Sequence, residues 1–255
     1  MPDAARDAGT VPSRGDGLGA ATTATATIPV GEVVAGYAID ALAGAGGMGV
    51  VYRATEVENG RTVALKLIAP ERAGDPALRE LFVRESLTAT RLEHPNVLPI
   101  YRAGEDEGRL FIAMRFVEGQ SLQELIAASP GGVPPGRAAR ILARVADALD
   151  AAHARGLVHR DVKPANILIA DPDGEEHVYL TDFGLSVPRR PGGVPPAGGW
   201  AGTLSYLAPE QIDGGALDAR TDVYALGCGL FHALTGRPPF AGDDEEAALE
   251  AHPSH

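Results

Sequence analysis

The segment from His159 to Leu168 constrains the fold of this chain more than any other stretch. It reads His-Arg-Asp-Val-Lys-Pro-Ala-Asn-Ile-Leu, and Asp182-Phe183-Gly184 follows it. Between the two, short apolar runs at 167–169 and 178–180 flank an acidic turn at 171–174. Two short apolar runs around such a turn predict a β-hairpin.

A hairpin at this place brings Asn166 and Asp182 to the same end. Two oxygen ligands at one point suit Mg2+, which binds one or two protein oxygens and takes the rest from water and phosphates. Asp161 is then free to orient an attacking hydroxyl, and Lys163 to meet a phosphate as a point charge.

Together the two segments resemble the catalytic loop and the magnesium-binding motif of eukaryotic-like protein kinases, and Lys163 is typical of the serine/threonine branch. The resemblance implies an α+β, two-lobed fold with a small β-rich lobe before a mainly helical one. It also implies ATP and Mg2+ as cofactors, catalytic Asp161, Lys163 and Asn166, and metal-binding Asn166 and Asp182. Each short motif alone often occurs by chance in loops, but the order and spacing of the two motifs favour the kinase interpretation.

Four glycines, Gly44, Gly46, Gly47 and Gly49, follow a predicted strand at 37–42. A glycine pattern of this kind alone also occurs in dinucleotide-binding folds, where a helix follows it. Here Val50-Val51-Tyr52 is β-branched and aromatic, which predicts a second strand instead. The glycines therefore belong to a hairpin tip that can close over phosphates with its backbone N–H groups.

Only two of the 22 basic residues are lysines, Lys66 and Lys163, and both fall inside motifs. Lys66 ends Val-Ala-Leu-Lys in a strand predicted at 61–68, and the resemblance makes it the lysine that grips the α- and β-phosphates. A helix predicted from Asp75-Pro76 places Glu85 in its inward stripe. The resemblance implies that Glu85 pairs with Lys66; the alternative is that Glu85 lies at the exposed edge of the stripe.

Two more strands are predicted, at 96–101 and 109–116. The resemblance makes Met114 the gatekeeper and 115–117 the hinge, where backbone groups hold adenine. Arg115 stands where the family often has an acid, a departure expected to be harmless for binding. The remaining residues that the resemblance assigns to the nucleotide pocket are Leu42, Val51, Ala64, Val117 and Leu168.

A long amphipathic helix is predicted at 136–155. His159 is expected to pack behind Phe183; a metal pair of His153 and His159 is an alternative that lacks a third ligand. The resemblance continues through Ala208-Pro209-Glu210 and through Asp222, which would brace the catalytic loop. It also implies further helices after residue 255, one of them carrying an arginine partner for Glu210, so the larger lobe is expected to be incomplete.

Composition excludes some classes of protein. The net charge of −12 argues against nonspecific nucleic-acid binding, which needs a basic field. The single cysteine, Cys228, indicates a reducing compartment, and the cytoplasm is the expected location. No run approaches the length of a membrane span. The domains are predicted as a disordered tail at 1–35, a small lobe with hinge at 36–117 and a larger lobe at 118–255.

The sequence therefore predicts a serine/threonine protein kinase acting on protein hydroxyls. An inactive ATP-binding or scaffolding module and a small-molecule phosphotransferase are the alternatives. The loop at 185–201 holds one hydroxyl, Ser186, so no regulatory phosphate is expected in its middle, although Arg160 resembles an arginine that holds one in relatives. Thr203 is expected to shape the substrate-side pocket.

Overall fold

The computed structural model of the chain describes residues 28–46, 49–69, 76–171, 175–183 and 204–239. Some sequence predictions fall outside these residues: those for the tail up to residue 27, Gly47, the side chain of Leu78, the turn at 172–174, the loop at 185–201, Thr203 and the end of the chain from residue 240.

Six antiparallel strands form the first sheet, in the spatial order β1-β2-β3-β4-β6-β5. They are β1 (Val33–Val34), β2 (Tyr37–Gly46), β3 (Gly49–Glu56), β4 (Thr62–Ile68), β5 (Ile100–Asp106) and β6 (Arg109–Arg115). Gly46 and Gly49 are partners at the tip between β2 and β3, which confirms the predicted glycine hairpin.

Strand β4 lies inside this sheet and is buried on both faces. Val63 and Leu65 pack in one apolar cluster, whereas Ala64 packs in another with Met114. Successive side chains of a strand point to opposite faces, so Lys66 shares the face of Ala64. The alternation of β4 thus carries a buried lysine to the face on which the nucleotide pocket was predicted.

The first described helix, α1 (Pro76–Ala89), begins at the predicted proline and contacts β5. Its stripe residues Phe82, Glu85 and Ala89 are buried, as predicted from their helical spacing. The carboxylate of Glu85 therefore lies inside the molecule and needs a partner.

The second half of the chain is mainly helical. Its helices are α2 (Leu122–Ala127), α3 (Pro135–His153), α4 (Pro209–Asp213) and α5 (Ala219–Thr235), and a small sheet joins β7 (Gly119–Ser121), β8 (Ile167–Ala170) and β9 (His177–Leu180). The apolar face of α3 is buried in a cluster that also takes residues from α2, β8, β9 and α5. A β-rich sheet followed by a helical region confirms the predicted fold class. None of the helices in the described ranges is long and apolar enough to cross a bilayer.

The strand predicted at 96–101 is wrong in its first half. Leu98 donates a backbone hydrogen bond to Leu180, and Leu180 donates one to Asn96, at 2.9 and 2.8 Å. These bonds attach residues 96–98 to β9 instead of to the first sheet. Pro99 has no N–H to donate, and β5 begins only at the residue after it.

The predicted tail boundary at residue 35 also needs correction. Val33 and Val34 pair with β2, and Val34 is buried. The backbone N–H of Ala35 donates to the carboxylate of Asp106 at 2.8 Å. Two adjacent valines suffice to add a short edge strand, so the folded part of the chain begins before residue 36.

Candidate active site

The hairpin of β8 and β9 positions the first group of predicted site residues. Ile167 and Leu180 are cross-strand partners, and Thr181 N–H donates to the carbonyl of Asn166 at 3.0 Å. Asn166 ends a short 3-10 turn just before β8, and Asp182 is the second residue after β9. The two side chains predicted to bind metal thus lie at the same end of the hairpin.

Asp161, Lys163 and Asn166 form one hydrogen-bonded group at this end. Lys163 Nζ lies 2.9 Å from Asp161 Oδ2. Asn166 Nδ2 donates to the same carboxylate oxygen at 2.9 Å and to the backbone carbonyl of Asp161 at 2.8 Å. Asp161 and Asn166 are buried, so the carboxylate is held in one orientation by two donors.

Lys66 reaches this group from β4. Its Nζ lies 2.7 Å from Asp182 Oδ2, and both side chains are largely buried. Burial raises the pKa of the Asp182 carboxyl, but the charge and hydrogen bond of Lys66 outweigh it, and the pKa falls below its usual value. Asp182 therefore stays ionised at neutral pH.

The predicted pairing of Lys66 with Glu85 is wrong for this structure. Glu85 Oε1 instead accepts a hydrogen bond from Arg160 Nη1 at 2.7 Å. Burial raises the pKa of Glu85, and the nearby Arg160 lowers it only in part. The physical reason for the exchange is that Lys66 finds a carboxylate in Asp182, which leaves the buried Glu85 to the nearest other cation.

Arg160 is held in an unusual backbone conformation, with a φ of +68° that few non-glycine residues adopt. Its N–H donates to Asp222 Oδ1 at 2.8 Å, and its carbonyl accepts from Gln211 Nε2 at 2.9 Å. Asp222 also accepts from the backbone N–H of His159 at 2.8 Å. This fully buried carboxylate braces the catalytic loop, as the resemblance implied.

Both histidines of the alternative metal pair have other partners. His153 Nε2 lies 2.7 Å from Asp222 Oδ2. His159 Nε2 contacts the carbonyl of Thr181 at 2.8 Å, and its ring lies 4.6 Å from that of Phe183. The predicted packing of His159 behind Phe183 is confirmed. Both histidines help to fix the position of the catalytic loop through these contacts.

Most of the apolar residues that were predicted to line the nucleotide pocket fall in one cluster. Ala64 and Met114 are buried in it, and Val51, Val117 and Leu168 pack against it. Leu42 of β2 is the cross-strand partner of Tyr52 in β3, and its side chain is exposed. Its role in nucleotide binding stays a prediction. Strands β3, β4 and β6 and Leu168 of β8 thus contribute to one apolar cluster, and its role as the two walls of a nucleotide pocket stays a prediction.

The residues present suit a magnesium ion that is completed by phosphates. Within the described ranges, no cluster of three or more His, Cys, Asp or Glu side chains could hold a metal by itself. Asn166 uses its amide nitrogen on Asp161, so its oxygen is the atom left for a cation. One amide and one carboxylate oxygen match the few protein ligands that Mg2+ takes beside a nucleotide.

Sequence reasoning missed the partners of some site residues. Glu210, whose expected arginine has no counterpart in this sequence, accepts from Thr221 Oγ1 at 2.6 Å. The hydroxyl of Tyr206 contacts His232 Nδ1 at 2.6 Å. Neither contact follows from a periodic pattern, and only the packing of α5 against the preceding segment brings these side chains together.

Comparison with known proteins gives consistent results. The protein kinase domain family matches residues 37–254. Serine/threonine-protein kinase PknJ of Mycobacterium tuberculosis is 43% identical over 215 residues, which are 84% of this chain and 36% of the relative. PknD of the same species is 42% identical over 223 residues, 88% of this chain and 33% of the relative.

The crystal structure of the M. tuberculosis PknI kinase domain is similar with a TM-score of 0.72 and 35% identity, covering 85% of this chain and 81% of that one. This chain spans about a third of the length of the curated relatives. Because the family match covers most of the chain and includes every element of the site described above, this chain belongs to the protein kinase domain family.

Proposed function

We propose that this chain transfers the γ-phosphoryl group of ATP to serine or threonine hydroxyls of proteins. The observation that carries the proposal is the hydrogen-bonded group of Asp161, Lys163 and Asn166, next to the Lys66–Asp182 pair. The relatives' names, serine/threonine-protein kinases, support the reaction and the substrate class.

The role of each side chain in this reaction follows from its charge and its position. Asp161 accepts a hydrogen bond from the incoming hydroxyl, orients it towards phosphorus and takes its proton late in the reaction. Lys163 and Lys66 supply compact positive charges for phosphate oxygens. Asn166 and Asp182 would hold Mg2+, which when bound supplies further neutralisation of phosphate charge.

We expect the Lys66–Asp182 contact, 2.7 Å between Nζ and Oδ2, to lengthen when ATP binds with its metal. The phosphates then attract Lys66, and the cation attracts Asp182. A bound nucleotide with its metal gives each partner a replacement of opposite charge, so the exchange costs little electrostatic energy. The contact therefore occupies both groups until the nucleotide arrives.

A nucleotide-binding module without transfer is the second candidate. It is favoured by one observation, the pairing of Glu85 with Arg160 instead of Lys66. If this pairing persists with nucleotide bound, Lys66 loses the carboxylate expected to orient it.

Labelled transfer distinguishes the two candidates. The chain is incubated with Mg2+, γ-labelled ATP and casein, and the labelled amino acid is identified. We expect phosphoserine or phosphothreonine, and strongly reduced label with the Lys66→Met variant, since ATP would be misplaced. Nucleotide binding without label in any protein would instead support the second candidate.

The cytoplasm is the proposed location. Cys228 is buried, and burial raises the pKa of its thiol to about 11. The proposal rests on the proposed use of ATP and on the single cysteine of the sequence, which can form no disulfide within the chain.

A further inference from the structure

Arg115, the last residue of β6, reaches from the first sheet to the second. Its Nη1 donates to the hydroxyl of Tyr179 at 2.9 Å, and its guanidinium carbon lies 5.9 Å from the centre of the Tyr179 ring. Tyr179 belongs to β9, 64 positions further along the chain. The contact therefore joins the end of the small lobe directly to the large-lobe hairpin.

Both ends of this contact are fixed to their own surroundings. On one side, Arg115 N–H donates to the carbonyl of Pro99 at 2.9 Å, and Arg115 is the cross-strand partner of Val63 in β4. On the other side, the Tyr179 ring lies 4.4 Å from the ring of His177, whose Nε2 contacts the carbonyl of Pro95 at 2.8 Å. A cation held at both ends acts as a strut and not as a loose surface side chain.

The strut lies behind the nucleotide pocket. Met114 precedes Arg115, and Val117 follows two positions later; both contribute to the pocket cluster. Tyr179 is the cross-strand partner of Leu168, the residue on the opposite wall, and packs against the same cluster. The distance between Arg115 and Tyr179 is thus coupled to the spacing of the two walls.

We propose that Arg115 is a positioning residue that holds the two walls of the nucleotide pocket at the separation adenine requires. The inference rests on the proposed ATP site and deepens it. A pocket fixed at its working width loses less freedom when the nucleotide binds, so the strut increases affinity without touching the phosphates. It does not act on the chemical step.

The test compares conservative variants by nucleotide affinity. Tyr179→Phe removes the hydroxyl and keeps the ring. We expect it to raise the Kd for a fluorescent ATP analogue, and the KM for ATP, about threefold to tenfold, the value of one charged hydrogen bond on a partly exposed surface. The kcat should stay unchanged, because the reacting groups are intact.

Three further variants make the test specific. Arg115→Met should raise the Kd to the same extent, Arg115→Met combined with Tyr179→Phe should raise it no further, and Arg115→Lys should restore part of the affinity. Tyr52→Phe is the matched control, since it also deletes a hydrogen-bonded hydroxyl, here one that accepts from Ile28 N–H at 2.9 Å within the small lobe. Its Kd should equal that of the wild type.

The outcomes separate the two proposals. If the wild type binds no nucleotide, the proposed function itself fails, and the strut fails with it. If the wild type binds and Tyr179→Phe binds equally well, only the strut is wrong. An equal loss of affinity in Tyr52→Phe, or fully additive losses in the double variant, would also overturn it.

Discussion

At the scale of single residues, the pair of Glu85 and Arg160 is the least expected feature of the site. It is buried, with relative side-chain exposures of 9% and 20%. Among the described residues, Glu85 Oε2 and Arg160 Nε have no hydrogen-bond partner. A half-satisfied buried ion pair adds little stability overall, but removing one partner leaves a buried charge without compensation.

This asymmetry gives the first prediction. Arg160→Met should lower the free energy of unfolding by about 1–3 kcal/mol, less than for a fully buried pair because Arg160 retains some exposure to water. Adding Glu85→Gln should recover part of the loss, because the orphaned charge is gone. Urea denaturation of the wild type and the two variants measures both effects. A loss near zero for Arg160→Met would contradict the prediction, because Glu85 would then need no compensation from Arg160.

Single-residue predictions from sequence succeeded where the partners are neighbours in the chain. Asp161, Lys163 and Asn166 lie within six consecutive residues, so their grouping follows from one loop. Glu85 and Arg160 are 75 positions apart in the chain. Two cations, Lys66 and Arg160, were therefore possible partners for Glu85. Periodicity identified Glu85 as buried but could not choose its partner, because that choice depends on the placement of α1 against the catalytic loop.

At the scale of elements, the two described ends of the glycine hairpin have different physical requirements. Gly49 has a φ of +138°, and a Cβ there would overlap the carbonyl oxygen of Leu67 in β4. A Cβ at Gly46 would meet no atom within 4 Å. Packing therefore requires glycine at position 49 but not at 46, and the predicted approach of a phosphate remains the reason for Gly46.

The second prediction contrasts these two positions. Gly49→Ala should destabilise the protein by more than about 1 kcal/mol, because the backbone strain cannot relax without displacing β4. Gly46→Ala should leave the melting temperature unchanged and raise the KM for ATP. Thermal unfolding and ATP titration check the pair. Equal melting temperatures for both variants would contradict the structural assignment of Gly49, and an unchanged KM would remove Gly46 from the nucleotide site.

Elements with a strong local signal were predicted well. The two hairpins, at 44–49 and around 171–174, follow from glycine and acidic turn residues between β-prone runs. The segment at 96–101 was predicted less well, because its apolar residues can pack in either of the two sheets. The chain divides there, with Asn96 to Leu98 bonded to β9 and the rest in β5, and only the tertiary arrangement shows the division.

At the scale of the whole molecule, the carboxyl groups of Asp182 and Glu85 change the free energy of unfolding with pH in opposite directions. The pKa of Asp182 is below its ordinary 3.8, so its contribution is present above that pH and is lost as the pH falls through the lowered value. The pKa of Glu85 is above its ordinary 4.5. Its contribution is complete below 4.5 and is lost as the pH rises through the raised value.

The third prediction isolates Glu85. As the pH rises from 4.5, the free energy of unfolding of the wild type should decrease relative to that of Glu85→Gln. The reason is that only the wild type then carries a buried negative charge. Above the raised pKa the difference should become constant. Urea denaturation at a series of pH values measures it. Parallel curves for the two proteins would mean that Glu85 titrates normally.

The central claim is that Asp161 performs its role in chemistry and not in nucleotide binding. Asp161→Asn keeps the shape of the side chain and removes the carboxylate that orients the hydroxyl and accepts its proton. The most direct measurement is γ-phosphoryl transfer at saturating MgATP by wild type and variant, with the nucleotide Kd recorded on the same preparations. We predict a similar Kd and a turnover at least about 100-fold lower in the variant, the scale of general base catalysis. Equal turnover by the two proteins would contradict the account.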